Sequence, residues 1–228
     1  MKTAFAQALA LILSGSDQLA DIIGVTLRMS IASSLAALLL GVPLGVFFAY
    51  TRFRGKKALI ILNRTLMGLP PVVCGLICYL LFSGVGPLRH WRLLFTVGGM
   101  IIAQIILITP IVVGSMETHA AGIVESIRET GEGIGLSKSR VFWLTVNECR
   151  YQIISTYLLG FSRAIAEVGA VSMVGGAIAY KTNVMTTAIM NFTNMGNFTE
   201  ALALGIILLG ISLCVNLAFS LLQAGVTK

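Results

Sequence analysis

The sequence predicts an all-α, polytopic membrane protein of about five transmembrane helices. Two observations lead there: the scarcity of charge and the way the charges are spaced. Of 228 residues, 57% are hydrophobic and only 11% charged, against roughly 25% charged in a soluble domain. Such a chain lacks the polar surface to remain in water. Residues 29–51, 65–88, 93–116 and 201–227 contain no Asp, Glu, Lys, Arg or His. Each run exceeds the roughly 20 residues a helix needs to cross the hydrocarbon core. A fifth span is expected over residues 151–180, which are uncharged except for Arg163 and Glu167.

The basic residues set an expected orientation, because they accumulate in cytoplasmic loops. With the first span ending inside, the inner side carries Arg52, Arg54, Lys56, Lys57, Arg64, Arg128, Lys138, Arg140, Arg150 and Lys228. The outer side carries Lys2, Arg28, Arg89, Arg92 and Lys181. Ten against five places the N-terminus outside and the C-terminus in the cytoplasm. The net charge of +7 then reflects topology and contact with anionic lipid, and nothing supports nucleic-acid binding.

Within one domain spanning 1–228, residues 1–22 are expected to form an interfacial helix. Phe5, Leu9, Ile12 and Leu13 share a helical face. A signal peptide fits less well, since no A-x-A-like site follows and Asp17 and Asp21 come soon after. Residues 117–150 form the one long charged connection, with five of the nine acidic residues. It reads as helix, break, helix, with Gly131, Gly133 and Gly135 at the break and Ser137 as an N-cap. Val141, Phe142 and Leu144 offer apolar contacts for the second helix. A loop of this length in a compact protein calls for a purpose.

Helix breakers are expected to interrupt four spans: Gly41-Val-Pro43-Leu-Gly45, Pro70-Pro71, Pro110 and Gly175-Gly176. Breakers survive at membrane depth where neighbouring helices or a water-filled cavity satisfy the freed backbone groups. Gly41-x3-Gly45 also permits close helix approach. Without an internal repeat, five spans need a second copy to complete a pathway.

Several chemistries find no support. Gly131-Glu-Gly133-Ile-Gly135 lacks the Gly-Lys-Ser/Thr of a phosphate-binding loop and follows no strand. No His-Glu-x-x-His motif or nucleophile–base pair lies in the spans, so no catalytic residue, cofactor or resident metal is expected. Cys74-x3-Cys78 supplies only two ligands, with His90 and His119 in connections. These thiols read as small packing residues.

Glu129-Thr130-Gly131-x3-Gly135, followed by Leu136-Ser137-Lys138-Ser139-Arg140-Val141-Phe142-Trp143, resembles the Glu-Ala-Ala-x3-Gly motif of ABC importer permeases. Thr130 and Gly131 replace the two alanines, and Glu148 stands where that family usually has proline. Gly68-Leu-Pro70-Pro71, the segment Arg163-x3-Glu167-x-Gly169-Ala and residues 201–209 are similar to oxyanion permeases, tungstate permeases above all, with molybdate and sulfate permeases as relatives. The resemblance covers nearly the whole chain. It implies a cytoplasmic coupling helix, with Glu129, Thr130, Gly131, Gly135 and Ser137 facing a separate ATPase subunit. It further implies two ATPase copies, a second copy of this chain and an extracytoplasmic oxyanion-binding protein, in the inner membrane. Pro70, Pro71, Arg163, Glu167 and Gly169 are the expected pathway residues.

Arg163 and Glu167 admit two readings. A charge at the bilayer centre costs about 2.5–3.5 kcal/mol on insertion scales, so neither faces lipid. Four apart, they can neutralise each other against a neighbouring helix. Alternatively, Arg163 offers a transient cation to a passing dianion while Glu167 limits its hold. The topology itself is testable: a cysteine at Ser137 should react only from the cytoplasm and one at Asn194 only from outside. Labelling of both positions from the same side removes the fifth span.

Overall fold

The computed structural model describes Ala10 and residues 17–226, with side chains as far as residue 218. The described residues are helical and contain no strand. In order they form α1 (Asp17–Tyr50), α2 (Lys56–Met67), α3 (Pro71–Phe82), α4 (Val97–Gly133), α5 (Lys138–Glu148), α6 (Arg150–Ile165), α7 (Gly169–Gly175), α8 (Met185–Asn194) and α9 (Phe198–Val226). Residues 1–16 of the expected interfacial helix lie outside the described residues, Ala10 apart. Residues 17–22 are the first turns of α1, with Leu19 and Ile22 buried.

Three helices are long and apolar enough to cross a membrane: α1, α4 and the first 21 residues of α9. Two further spans arise if each bent pair is counted once. α2 and α3 meet at 99°, and α6 and α7 at 57°.

The core is the seam between α1 and α4. Ser33 meets Gln104, Gly41 meets Val112 and Gly45 meets Met116. Residue numbers rise together along both helices, so the two are parallel. α1 offers Ala37, Gly41, Gly45 and Ala49 at four-residue spacing, and α4 fits Ile108, Val112, Met116 and Ala120 against that stripe. Residues four apart form a ridge on a helix surface, and small residues opposite give the groove that receives it. A Cβ on Gly41 would stand 2.6 Å from Val112 Cγ1. One on Gly45 would stand 2.6 Å from Met116 Cβ and 2.7 Å from the Val113 carbonyl.

Two of the four expected interruptions are absent. α1 continues through Pro43 and α4 through Pro110. The seam holds both helices in register, which offsets the one ladder hydrogen bond each proline removes. Asn63 Nδ2 on α2 also donates to the Pro110 carbonyl, at 3.0 Å. Pro70-Pro71 does end the preceding helix: Pro70 takes the N-cap position of α3 and Pro71 its first turn, where the missing N–H costs nothing. The fourth break lies earlier than expected, at residues 166–168. Gly175-Gly176 instead terminates α7, with Gly176 in the left-handed region (φ 71°).

The stripe makes a direct prediction. Gly45→Ala should lower stability by about 1–3 kcal/mol through overpacking, because the clash involves backbone. Gly24→Ala, on the same helix with nothing within 4 Å of its Cβ, should be neutral or slightly stabilising. Thermal midpoints of the two detergent-purified variants check this; equal values would show that the seam is slack.

Candidate translocation and coupling sites

The break between α6 and α7 gathers most of the expected pathway residues. α6 ends at Ile165, yet Arg163 Nη2 still reaches Glu167 Oε2 across the break, at 3.4 Å. The Glu167 side chain is 3% exposed and that of Arg163 36%. The other carboxylate oxygen of Glu167, Oε1, accepts the Ala170 N–H at 3.1 Å. The negative charge thus sits at the start of α7, where the helix dipole favours it. Thr186 Oγ1 donates to the Glu167 carbonyl at 2.7 Å. Glu167 is therefore tied on both backbone and side chain. Arg163 is half-buried, and its guanidinium carries five donors in a fixed fork.

The Leu-Pro-Pro element packs on the same break. A Cβ on Gly169 would lie 2.9 Å from Val72 Cγ2 and 3.4 Å from Pro71 Cβ. One on Gly75 would lie 2.7 Å from Ala170 Cα. Gly75 and Gly169 let α3 and α7 touch backbone to backbone, which sets Pro71 beside Gly169. Pro70 caps α3 from an exposed position. Cys74 and Cys78 are buried in this contact, with Cys74 Sγ 3.7 Å from the Ala103 carbonyl. Among the described residues no three His, Cys, Asp or Glu side chains come together as a metal set.

Gln104 escaped the sequence reading. It is 1% exposed, accepts a hydrogen bond from Ser33 Oγ at 2.6 Å and donates to the Ala164 carbonyl at 2.8 Å. One amide thereby joins α1, α4 and the frayed end of α6. Its signal was available: Gln104 is the one amide side chain in the charge-free run 93–116. A count of charges alone passes over it. A second polar cluster was missed for the same reason. Residues 182–188 are all buried, and Thr26 Oγ1 on α1 accepts the Met185 N–H at 2.8 Å.

At the other end of α1 and α4 lies the segment expected to serve coupling. Glu129, Thr130 and Gly131 are not in a loop; α4 carries them as an unbroken helix to Gly133. The 117–150 connection is thus a helical extension, a tight turn and a second helix. Gly131 is buried inside α4, where a Cβ would meet Val141 Cγ2 at 2.9 Å. It serves packing, and the break itself falls on Ile134–Ser137. Gly135 has φ 79°, and the Leu136 N–H returns to the Gly131 carbonyl at 2.8 Å. This is the left-handed stop that glycine supplies cheaply. Ser137 occupies the N-cap of α5 without a side-chain capping bond.

α5 is pinned to α1 as well. Tyr50 Oη donates to the Lys138 carbonyl at 3.2 Å, and the Tyr50 and Phe142 rings meet edge-on at 6.0 Å. Arg52 bridges to Glu125 at 3.3 Å, and Arg128 pairs with the same carboxylate. Cys149 closes the turn into α6. Burial, with the Glu148 charge beside it, pushes its thiol above the ordinary range, so it stays protonated and packs as an apolar group. Glu129, Ser137 and Trp143 remain exposed.

Residues 41–228 match the family model described as the binding-protein-dependent transport system inner membrane component. The chain belongs to this family of transport permeases. The tungstate uptake system permease protein TupB of Peptoclostridium acidaminophilum is 35% identical over 219 residues, covering 96% of each chain. The sulfate transport system permease protein CysW of Synechococcus elongatus is 28% identical, covering 92% of this chain and 76% of that one. Among solved structures, a chain of the inward-facing MetNI methionine ABC transporter superposes with a TM-score of 0.76 at 15% identity, covering 92% of the permease described here and 97% of that chain. The multi-pass membrane fold of the permease follows.

Gln104→Leu removes the ties between α1, α4 and α6, while Ser33 Oγ keeps the Ser30 carbonyl at 3.2 Å and the Ala164 carbonyl keeps the Glu167 N–H at 3.3 Å. The expected loss is about 0.6–1 kcal/mol, near the average for hydrogen bonds in membrane proteins, since no buried group is left stranded. A thermal midpoint in detergent equal to wild type would show that Gln104 bears no strain at the break.

Proposed function

We propose that this permease is the membrane-spanning subunit of an ATP-driven importer for a tetrahedral oxyanion, with tungstate the first candidate. The observation that carries it is the 35% identity to a tungstate uptake permease over 96% of both chains. On this reading two copies of the chain associate with two ATPase subunits and receive cargo from an extracytoplasmic binding protein. The N-terminus lies outside and the C-terminus in the cytoplasm. The chain itself hydrolyses no ATP.

The geometry supports a mechanical division of labour. α5 with Glu129, Thr130, Gly135 and Ser137 seats on the ATPase, and the buried Gly131 fixes how α5 packs on α4. The displacement of α5 travels through Tyr50 into α1 and directly along α4. Both helices meet at Gln104, whose other partner is the Ala164 carbonyl at the α6–α7 break. There Arg163 offers its unengaged donors to the passing dianion. Glu167, bound to Ala170 and Thr186, holds the break and limits the local positive charge. A weak contact serves transport, since a tight one would trap the ion. A sulfate or molybdate cargo is the second reading, favoured by the similarity to the sulfate permease. A channel working without an ATPase would leave the exposed α5 surface unexplained.

Gly135→Val tests the coupling role. Nothing lies within 4 Å of the Cβ position, so the cost is the backbone's alone, about 1–2 kcal/mol for a left-handed residue that bears a Cβ. Expected results are normal membrane insertion, weakened ATPase pull-down and reduced uptake of radiolabelled tungstate. Gly133→Ala, helical and equally unobstructed, should transport as wild type. Normal uptake by Gly135→Val with its ATPase still bound would place coupling elsewhere. Competition by sulfate and molybdate in the same vesicles decides the cargo.

A further inference from the structure

α2 differs from every other long helix of the chain. None of its residues is buried, and it meets α3 at 99°. Leu59, Leu62, Asn63 and Leu66, spaced as one helical face, line a crevice of about 390 Å³ against Leu44 and Phe48 of α1 and one face of α4 that includes Ile106, Thr109 and Val113. That volume lies within the roughly 300–1,000 Å³ of sites that hold small ligands. The lining is apolar apart from Asn63 and Thr109. Asn63 is engaged with the Pro110 carbonyl. Among the described residues the Thr109 hydroxyl oxygen is buried without a hydrogen-bond partner, an uncommon state for a buried polar group.

The charge at one end of this crevice is unbalanced. Lys56 lies one turn before Leu59 on the same face. Its Nζ donates to the Ala49 carbonyl at 3.2 Å, next to Phe48 of the lining, and keeps two donors free. Lys57 and Arg54 have no acidic partner among the described residues. The nearby carboxylates are already engaged: Glu117 with Arg64, and Glu125 with Arg52 and Arg128. Basic residues at the end of an amphipathic helix, beside an open apolar cleft, complement a lipid with an anionic head.

We propose that the α1–α2–α4 crevice is a binding site for one anionic phospholipid. An acyl chain lies against Leu59, Leu62 and Leu66. The phosphate sits at Lys56 and Lys57. The occupant wedges α2 against α4 and so holds the right-angle bend into the Leu-Pro-Pro element. The inference depends on the membrane fold and is independent of the cargo.

The test uses the assembled permease with its ATPase, reconstituted in nanodiscs of phosphatidylcholine mixed with phosphatidylglycerol and released for native mass spectrometry. Wild type should retain one phosphatidylglycerol per permease chain in preference to phosphatidylcholine. The Lys56→Gln/Lys57→Gln variant keeps a donor for the Ala49 carbonyl and should lose the headgroup preference several-fold. Leu62→Trp fills the crevice and should expel the retained lipid of either kind, with the assembly intact by size-exclusion chromatography. Absence of selective retention by wild type, or unchanged retention in both variants, overturns the proposal. If Leu62→Trp instead splits the assembly, the crevice is an interface between copies and the lipid assignment fails.

Discussion

Everything in this permease hangs on the parallel seam between α1 and α4. A stripe of small residues on one helix receives a ridge of large ones on the other, and backbone-to-backbone proximity follows. In lipid no hydrophobic drive brings helices together, so close packing and buried hydrogen bonds must do so. The seam supplies both: Gly41 and Gly45 admit Val112 and Met116, and Ser33 binds Gln104. Because the helices run parallel, their C-terminal ends emerge on one side and jointly hold α5. Their N-terminal halves jointly hold α6–α7 and the buried 182–188 segment. The remaining helices are arranged around this pair.

Glu167 shows how structure and function can share a residue. Its carboxylate caps α7, pairs with Arg163 and is almost fully buried. Removing it would leave the half-exposed Arg163 guanidinium to solvent and the Ala170 N–H at the start of α7 without its acceptor, a loss of about 1–3 kcal/mol. Arg163 has more freedom, being half-exposed and, among the described residues, paired only with Glu167. The two readings of this ion pair therefore divide between its members: Glu167 is mainly a fixture of the break, and Arg163 is the side chain with donors to spare.

The spans, up to five with each bent pair counted once, the helix–turn–helix over residues 117–150 and the pairing of Arg163 with Glu167 were legible from charge spacing and motif resemblance. The bends were legible only in part, because a proline's effect depends on its place in a helix. Pro43 and Pro110 look no different from Pro71 in sequence, yet the first two are carried by the seam and the third starts a helix. Gly131 was misread only as a helix break, for a similar reason: it stays inside α4 and admits Val141, ten residues away across a turn. Gln104 was invisible because its meaning lies in Ala164, sixty positions on. An uncharged amide in an apolar run announces a polar partner without naming it.

The unbroken run of α4 through Pro110 has a mechanical consequence. If the packed α1–α4 pair tilts as one body about the level of Gln104, the 29 residues from there to Gly133 give a long arm of about 44 Å on the side of α5. The seven residues back to Val97 give a short arm of about 11 Å. Such a lever trades distance for force roughly fourfold. A broad sweep at the α5 end would become a small, strong displacement beside α7, suited to moving packed side chains past one another.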